Sequence, residues 1–233
     1  RDFCLSRGLG DVYKRQGIKT AAIYGAFIPN PMHVYRVAGV LSGLGLSYDG
    51  ATEEGEVVGK IFTDQSVDLS KISGDIQIVS YLQGYGDTTT DEINAAIQAK
   101  PEAFISVGMA TTFFTQQLNA AGIEFSDIDS FTQSNGEAIT NGKLVYLAGK
   151  YSSSVGPAFA LVLNAINGNV IRDEQGNAVS LSQNYQVATD EATFDEFYKS
   201  DNGDNPIYNK ETLDQIIGES VTFDEINELV TSK

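Results

Sequence analysis

Five short stretches of this chain gather the residue types that a small-molecule site needs: Phe27–His33, Gln83–Thr88, Gly108–Thr111, Ser130–Ser134 and Gly149–Ser154. They are rich in Gly, Ser, Thr, Asn and Gln, with Phe27, Tyr85 and Tyr151 among them. Hydroxyl and amide groups supply directed hydrogen bonds, and an aromatic face takes the apolar side of a sugar ring. The mixture therefore suits a neutral, polyhydroxylated ligand. Taken singly, each stretch also reads as an ordinary surface loop. His33 opens a helix at one of them and reads either as a ligand contact or as a loop histidine satisfied by its neighbours. Lys150 follows an apolar run and could pair with a ligand oxygen or simply stand exposed. Gly84-Tyr85-Gly86 before a helix could cradle a phosphate. It lacks a third glycine and a Walker lysine, and reads better as a tight turn. Asp201-Asn202-Gly203-Asp204-Asn205 has a calcium-like composition. It lacks the alternating oxygens and terminal Glu of an EF-hand loop, and reads as a solvated turn.

Catalytic chemistry finds little support. Carboxylates are plentiful, but none is spaced for paired general acid and base work. There is one histidine, so a His-rich metal site is excluded and a Ser-His-Asp triad could use only His33. No nucleophile elbow, phosphate loop or dinucleotide fingerprint is present. No cofactor and no metal are expected. A doubly wound enzyme, such as a glycosyltransferase or hydrolase, stays a minor reading.

The N-terminus needs separate treatment. Ser6–Gln16 resembles, at all eleven positions, the in-frame translation of a standard sequencing-library transposon adapter, and the chain opens with Arg1 rather than Met. Library-derived scars are set aside before fold reasoning. Residues 1–16 are thus expected to be an adapter-derived, disordered arm, and Gly17–Lys233 a fragment whose own N-terminus is lost. The chain has 15 Lys+Arg and 31 Asp+Glu, a formal net charge of −16. Residues 1–16 hold four of the basic residues (Arg1, Arg7, Lys14, Arg15) and two of the acidic ones (Asp2, Asp11), so without them the charge is −18. That balance argues against binding nucleic acid or an anionic membrane surface. The sole cysteine, Cys4, lies in the arm, leaving no disulfide framework, Cys metal site or thiol nucleophile. The run Ala158–Ile166, broken by Asn164, is too short to span a bilayer.

The elements that must position the five stretches alternate regularly. Ile18–Tyr24, Ile76–Leu82, Ala103–Val107, Ile128–Phe131 and Leu144–Ala148 read as buried strands, with Tyr185–Ala188 as a further one. Helices are expected at Met32–Leu46 after Pro31, at Thr89–Gln98 with a Thr89/Glu92 capping box, and at Thr111–Ala121 ended by Gly122. Others follow at Ser134–Thr140 and Ser152–Ile166. Tyr48–Asp75 breaks the rhythm and holds a short helix near Glu54–Ile61. Asn169–Ile171 and Ala178–Leu181 flank the turn Asp173–Asn177 as a hairpin. Short acidic helices follow at Glu191–Tyr198, Lys210–Ile217 and Phe223–Val230. The alternation predicts an α/β fold with a doubly wound parallel sheet. Ligands of such sheets bind beyond the carboxyl ends of the strands, where the five stretches fall.

Three patches in this order carry a resemblance. They are Tyr35-Arg36-Val37-Ala38-Gly39-Val40, the strand and helix of Ala103–Gly122 ending in Asn119-Ala120-Ala121-Gly122, and Asn141-Gly142-Lys143-Leu144 leading to Gly149–Gly156. Together they resemble the second lobe of the type I periplasmic-binding-protein family, over most of Gly17–Gly168. The resemblance implies a missing N-terminal lobe, a ligand-binding lobe at 17–182, and a crossover strand with acidic C-terminal helices at 183–233. It implies ligand contacts near His33 or Val34, Gly108–Met109, Ser130–Thr132 and Lys150. With the aromatic residues above, the expected ligand-binding set is Phe27, His33, Tyr85, Gly108, Met109, Ser130, Thr132, Lys150 and Tyr151. The family's usual Asn-Asp after the third strand is Gly108-Met109 here, and Ser130 and Thr132 stand nearest its usual Asp after the fourth. This departure opens the site to small solutes other than a standard pentose or hexose. The implied function is an extracytoplasmic solute-binding protein of an ABC importer that docks on a permease. Membrane attachment would come only through a lost anchor, as in a lipoprotein. The alternatives are the effector domain of a LacI-like transcription regulator and a sensor-kinase ectodomain.

Overall fold

Each apolar run that alternates with an amphipathic helix becomes a strand of one sheet in the computed structural model, which describes residues 2–84, 90–128, 131–203 and 206–232. In chain order the elements are α1 (Asp2–Gln16), β1 (Thr20–Ala26), α2 (Pro31–Leu44), β2 (Ser47–Tyr48), α3 (Glu54–Asp64), β3 (Ile72–Ser73), β4 (Gln77–Gln83), α4 (Thr90–Gln98) and β5 (Ala103–Ser106). They continue with α5 (Ala110–Ala121), β6 (Glu124–Ile128), α6 (Gln133–Thr140), β7 (Leu144–Gly149), α7 (Gly156–Ile166), β8 (Gln186–Ala188), α8 (Glu191–Asn202), α9 (Lys210–Asp214) and α10 (Phe223–Thr231). The main sheet runs β4-β1-β5-β6-β7-β8; the first five strands are parallel and β8 is antiparallel to β7. The small strands β2 and β3 pair only with each other.

Both faces of the sheet are covered, which is why its strands read as unbroken apolar runs. α1, α2 and α3 bury one face with Leu9, Tyr13, Val34, Val37, Leu41 and Ile61. α4, α5, α6 and α8 bury the other with Ile93, Phe114, Leu118, Ile139 and Phe194. Local signals place the helices. Asn30 accepts the Met32 N–H (3.0 Å) ahead of Pro31, and Gly45 ends α2 in the left-handed region (φ 76°). The residue Thr89 of the expected capping box lies outside the described residues.

Four expectations change. Residues 2–16, expected to be disordered, form α1. Leu9 and Tyr13, one turn apart, are buried on the sheet. Gly10 meets Gly43 of α2 so closely that a Cβ on Gly43 would lie 2.1 Å from the Arg7 carbonyl oxygen. An apolar pair at helical spacing and a glycine contact dock the segment. The fourth parallel strand, expected over Ile128–Phe131, is Glu124–Ile128. Its Ser126 and Asp127 disguise it, yet both are fully buried. The hairpin around Asp173–Asn177 is reduced to one bridge, Arg172 with Ala178. Asp173 Oδ1 takes up the N–H groups of Gln175 (3.0 Å) and Asn177 (2.7 Å), which turns the chain without a ladder.

The fourth concerns the boundary expected at 182. β8 pairs with β7 and α8 packs on α6, so both belong with the sheet. α7 leaves the sheet after a 3-10 turn (Ser152–Val155). It joins α9 and α10 around a separate cluster of Ala160, Ile216, Ile226 and Val230. Asn164, which interrupts the apolar run, is the tie. It is buried, its Nδ2 donates to the Ile216 carbonyl (2.9 Å), and its Oδ1 accepts the Gly218 N–H (2.9 Å). Among the described residues no helix is long and apolar enough to cross a membrane.

Candidate functional site

In chain order the parallel strands step outward from β1 to β4 and then return to β5 on the other side of β1. In an open α/β sheet the carboxyl ends of the strands at such a reversal are the usual ligand position. β1, β5, β6 and β7 are consecutive there, so the loops that follow them span about 14 Å at ordinary strand spacing, the scale of one or two sugar rings.

After β1 stand Phe27 and His33. Phe27 is 39% exposed, whereas His33 is buried at 4%. The Phe27 N–H donates to His33 Nδ1 (2.9 Å), so that nitrogen closes the loop and Nε2 carries the ring hydrogen. The reading of His33 as a loop histidine is the better description of this contact. Gly25 (φ 104°) is held where a Cβ would lie 2.9 Å from the Gly108 carbonyl oxygen. A Cβ on Gly84 would lie 2.5 Å from the Gly25 carbonyl oxygen. Three strand ends thus converge backbone to backbone, and Gly84 serves a close approach. Tyr85 and Gly86 lie outside the described residues.

After β5, Gly108 leads into Met109, which caps α5 in the left-handed region (φ 69°) and offers no side-chain cap. The cap is supplied instead by Asp127 at the end of β6. Its Oδ1 accepts Ser106 Oγ–H (2.8 Å) and the Ile128 N–H (2.9 Å). Its Oδ2 accepts the Thr111 N–H (2.8 Å) and Thr111 Oγ1–H (2.9 Å). Ser106 Oγ in turn accepts the Gly108 N–H (3.0 Å), and Asn135 Nδ2 donates to Thr111 Oγ1 (3.0 Å). The carboxylate sits at the N-terminus of α5, where backbone N–H groups and the helix dipole favour negative charge. Asp127 fixes the loops after β5 and β6 with all of these lone pairs engaged. The residues facing a solute would be others.

Ser130 lies outside the described residues. Thr132 is at the edge and exposed, but its Oγ1 accepts the Asn135 N–H (3.3 Å) as the N-cap of α6. After β7, exposed Lys150 holds its Nζ 5.3 Å from the centre of the Tyr185 ring, a cation–π contact. Tyr151 is only 8% exposed, with Phe131 and Phe197 ring centres 6.0 and 6.2 Å away. Burial, reinforced by Glu196 and Asp201, pushes its phenol up to about 12. Its ring packs the core and is not presented as a stacking face.

Arg36 has a structural part that its patch of sequence does not announce. Its guanidinium is buried, and donates to the Val107 carbonyl oxygen (2.8 Å) and to Tyr185 Oη (2.9 Å). It ties α2 to the end of β5 and to the segment entering β8. Its presence in an otherwise apolar helical stripe, between Tyr35 and Val37, was the available signal. Tyr35 and Phe113, exposed near the starts of α2 and α5, add aromatic surface that helical periodicity had absorbed. Of the acidic turn expected at 201–205, Asp204 and Asn205 lie outside the described residues and Asp201 ends α8, where it accepts the Ser152 N–H and Ser152 Oγ–H (3.1 Å). Among the described residues no three of His, Cys, Asp and Glu come together to hold a metal.

No family model matches the chain, and no curated protein matches it in sequence. Solved structures match its fold. A twin-arginine translocation pathway signal protein from Burkholderia phytofirmans superposes over 90% of this chain with a TM-score of 0.61 and 14% identity. The fructose-binding periplasmic domain of a hybrid two-component system covers 84% of it with a TM-score of 0.57 and 12% identity. An ABC-transporter periplasmic solute-binding protein from Actinobacillus succinogenes, with bound D-allose, covers 84% with a TM-score of 0.55 and 13% identity. The fold is that of a periplasmic-binding-protein lobe. This chain spans 61%, 59% and 61% of those three chains.

Proposed function

We propose that this chain is part of an extracytoplasmic solute-binding protein of an ABC importer, a binder and not an enzyme. It would hold a sugar or another small polar solute between two lobes and dock on a permease. One observation carries the reading. Phe27, Gly108, Met109, Thr132 and Lys150 all follow strands at the carboxyl edge of a sheet whose fold matches sugar-binding proteins. Of the remaining candidates, Tyr85 and Ser130 belong to the same edge by sequence. His33 and Tyr151 are buried.

Residues 1–16 are read as adapter-derived. One detail supports this: the Ser6 hydroxyl on α1 is buried without a hydrogen-bond partner, a group that a cover matched to its sheet would satisfy.

The test begins with the coding sequence upstream of Gly17. A signal sequence, with or without a lipidated cysteine, followed by a second βα lobe is expected. The intact protein is then screened by thermal shift against aldoses, ketoses and inositols. A solute at 100 times its Kd should add about 2.7 kcal/mol of stability. A helix-turn-helix upstream would replace this reading with the LacI-like regulator. The match to the fructose-binding domain favours a second reading, a sensor ectodomain, which a downstream membrane span and kinase module would identify.

A further inference from the structure

α5 and α6 lie side by side in the helical layer over one face of the sheet, yet a groove of about 370 Å³ stays open between them. Its walls are one face of each helix. α5 supplies Thr112, Gln116 and Asn119, and α6 with its C-cap supplies Ser134 and Asn141. All five are exposed, and among the described residues none of their side chains has a hydrogen-bond partner. Phe113, 40% exposed, stands at the end of the groove that faces the carboxyl edge, its ring centre 6.1 Å from that of Phe114.

The chemistry of these walls is selective. α5 carries no charged residue, in a chain whose net charge is −16. α6 carries one, Glu137, whose Oε1 accepts Gln133 Nε2–H (3.0 Å). A helix face that only keeps a protein in solution is written mainly in charged residues. This one is written in amides and hydroxyls around one aromatic ring. Side-chain amides donate and accept at once, which matches adjacent sugar hydroxyls, and the ring takes the apolar face of a pyranose. A protein partner needs an apolar centre of several large side chains. Among the described residues that line the groove, Phe113 is the sole large apolar one.

From Thr112 to Asn119, and from Ser134 to Asn141, the groove runs two helical turns, about 10 Å. Its volume lies within the range of small-ligand clefts, about 300–1,000 Å³. We propose that this groove is a second binding site, for a neutral saccharide segment of about two sugar units. Phe113 is the stacking platform at its mouth, and the amides of Gln116, Asn119 and Asn141 are the hydrogen-bond partners along it. The site is separate from the carboxyl edge of the sheet and does not depend on which solute that edge holds.

Titration of the isotope-labelled 233-residue chain, followed by amide NMR, tests this. The probes are cellobiose, maltose, trehalose and diacetylchitobiose, with glucosamine as a cationic control. At least one neutral disaccharide should shift the amides of 112–119 and 134–141 along a saturating curve. Phe113→Ala, Gln116→Ala and Asn141→Ala should each weaken that sugar roughly 3- to 10-fold, as loss of one ring contact or one net hydrogen bond does. All three positions are on the surface, and an unchanged remainder of each spectrum verifies the fold. Glu137→Gln should leave the affinity unchanged. Failure of every disaccharide to shift these amides overturns the proposal. Shifts confined to Phe27, Gly108 and Lys150 overturn it too, and leave the solute-binding reading standing. Groove shifts that none of the three alanine substitutions weakens show sugar acting without a built site, and overturn it. A preference for glucosamine that Glu137→Gln abolishes assigns the groove to cations, and does the same.

Discussion

Asp127→Asn exchanges one oxygen for an amide and keeps the size of the side chain. If Oδ1 keeps its two donors, Ser106 Oγ–H and the Ile128 N–H, the new Nδ2 replaces the oxygen that accepted the Thr111 N–H and Thr111 Oγ1–H. Two donors then face each other at the Thr111 N–H. The Thr111 hydroxyl, which accepts from Asn135 Nδ2 with one lone pair, can turn its second to the new Nδ2, so the Thr111 N–H is the donor left without a partner. One buried N–H without a partner costs about 1–3 kcal/mol, and losing a charge at a helix N-terminus adds about 0.3–1 kcal/mol. The expected loss is thus about 1–4 kcal/mol. Asp127→Ala leaves four donors unpaired and should cost more. Urea unfolding followed by far-UV circular dichroism reads this as a lower midpoint at unchanged slope. Amide exchange at Thr111 and Gly108 should accelerate more than at Ile105, because the damage is local to the loop. A cycle with Thr111→Val adds a second check: the two substitutions should couple by at least about 0.5 kcal/mol. A loss below about 0.5 kcal/mol for Asp127→Asn, with no coupling to Thr111, would refute the claim that this carboxylate holds the site loops.

Three further outcomes are expected. Gly25→Ala forces a Cβ against the Gly108 carbonyl at a φ of 104°, and should cost about 2 kcal/mol or more in urea unfolding, whereas Gly142→Ala, with open space around it, should cost only its backbone strain. Tyr151 is a phenol whose folded pKa is raised, so its contribution is complete below pH 10 and lost as pH climbs from 10 towards 12; the fall, roughly 2 kcal/mol, should be absent from the difference curve of Tyr151→Phe. Ser6→Ala removes a buried hydroxyl that has no partner and should raise stability by about 1 kcal/mol in the same assay; a loss instead would mean that α1 is better fitted to its sheet than its contacts indicate.

The parallel order of the sheet was legible because strands buried on both faces must be written in apolar residues. Ile23, Phe104, Ile105 and Leu147 sit where such runs placed them. β6 was displaced because Ser126 and Asp127 break its run, and only the tertiary network repays their burial. The edge loops were legible from where strands end. The role of each residue in them was not. His33 and Tyr151 are types that bind ligands on a surface and pack as well beneath it, and burial decides between the two. Arg36 was hidden for the opposite reason, since a helical stripe leads the eye to its apolar members. The boundary after residue 182 misled because a chain can leave a sheet and return to it, and periodicity along the sequence carries no trace of that detour.

The β7–β8 pairing has a mechanical consequence. Where the chain leaves this edge and where it comes back are adjacent strands, bonded in register up to Gly149 and Gln186. β7 is held on its other side by β6, so only the unpaired stretches beyond Gly149 and Gln186 are free of the ladder. One of them is tied down at once, because Asp201 of α8 accepts from Ser152. The segment between 150 and 185 is therefore expected to ride with the sheet edge as one body and not to flap against it.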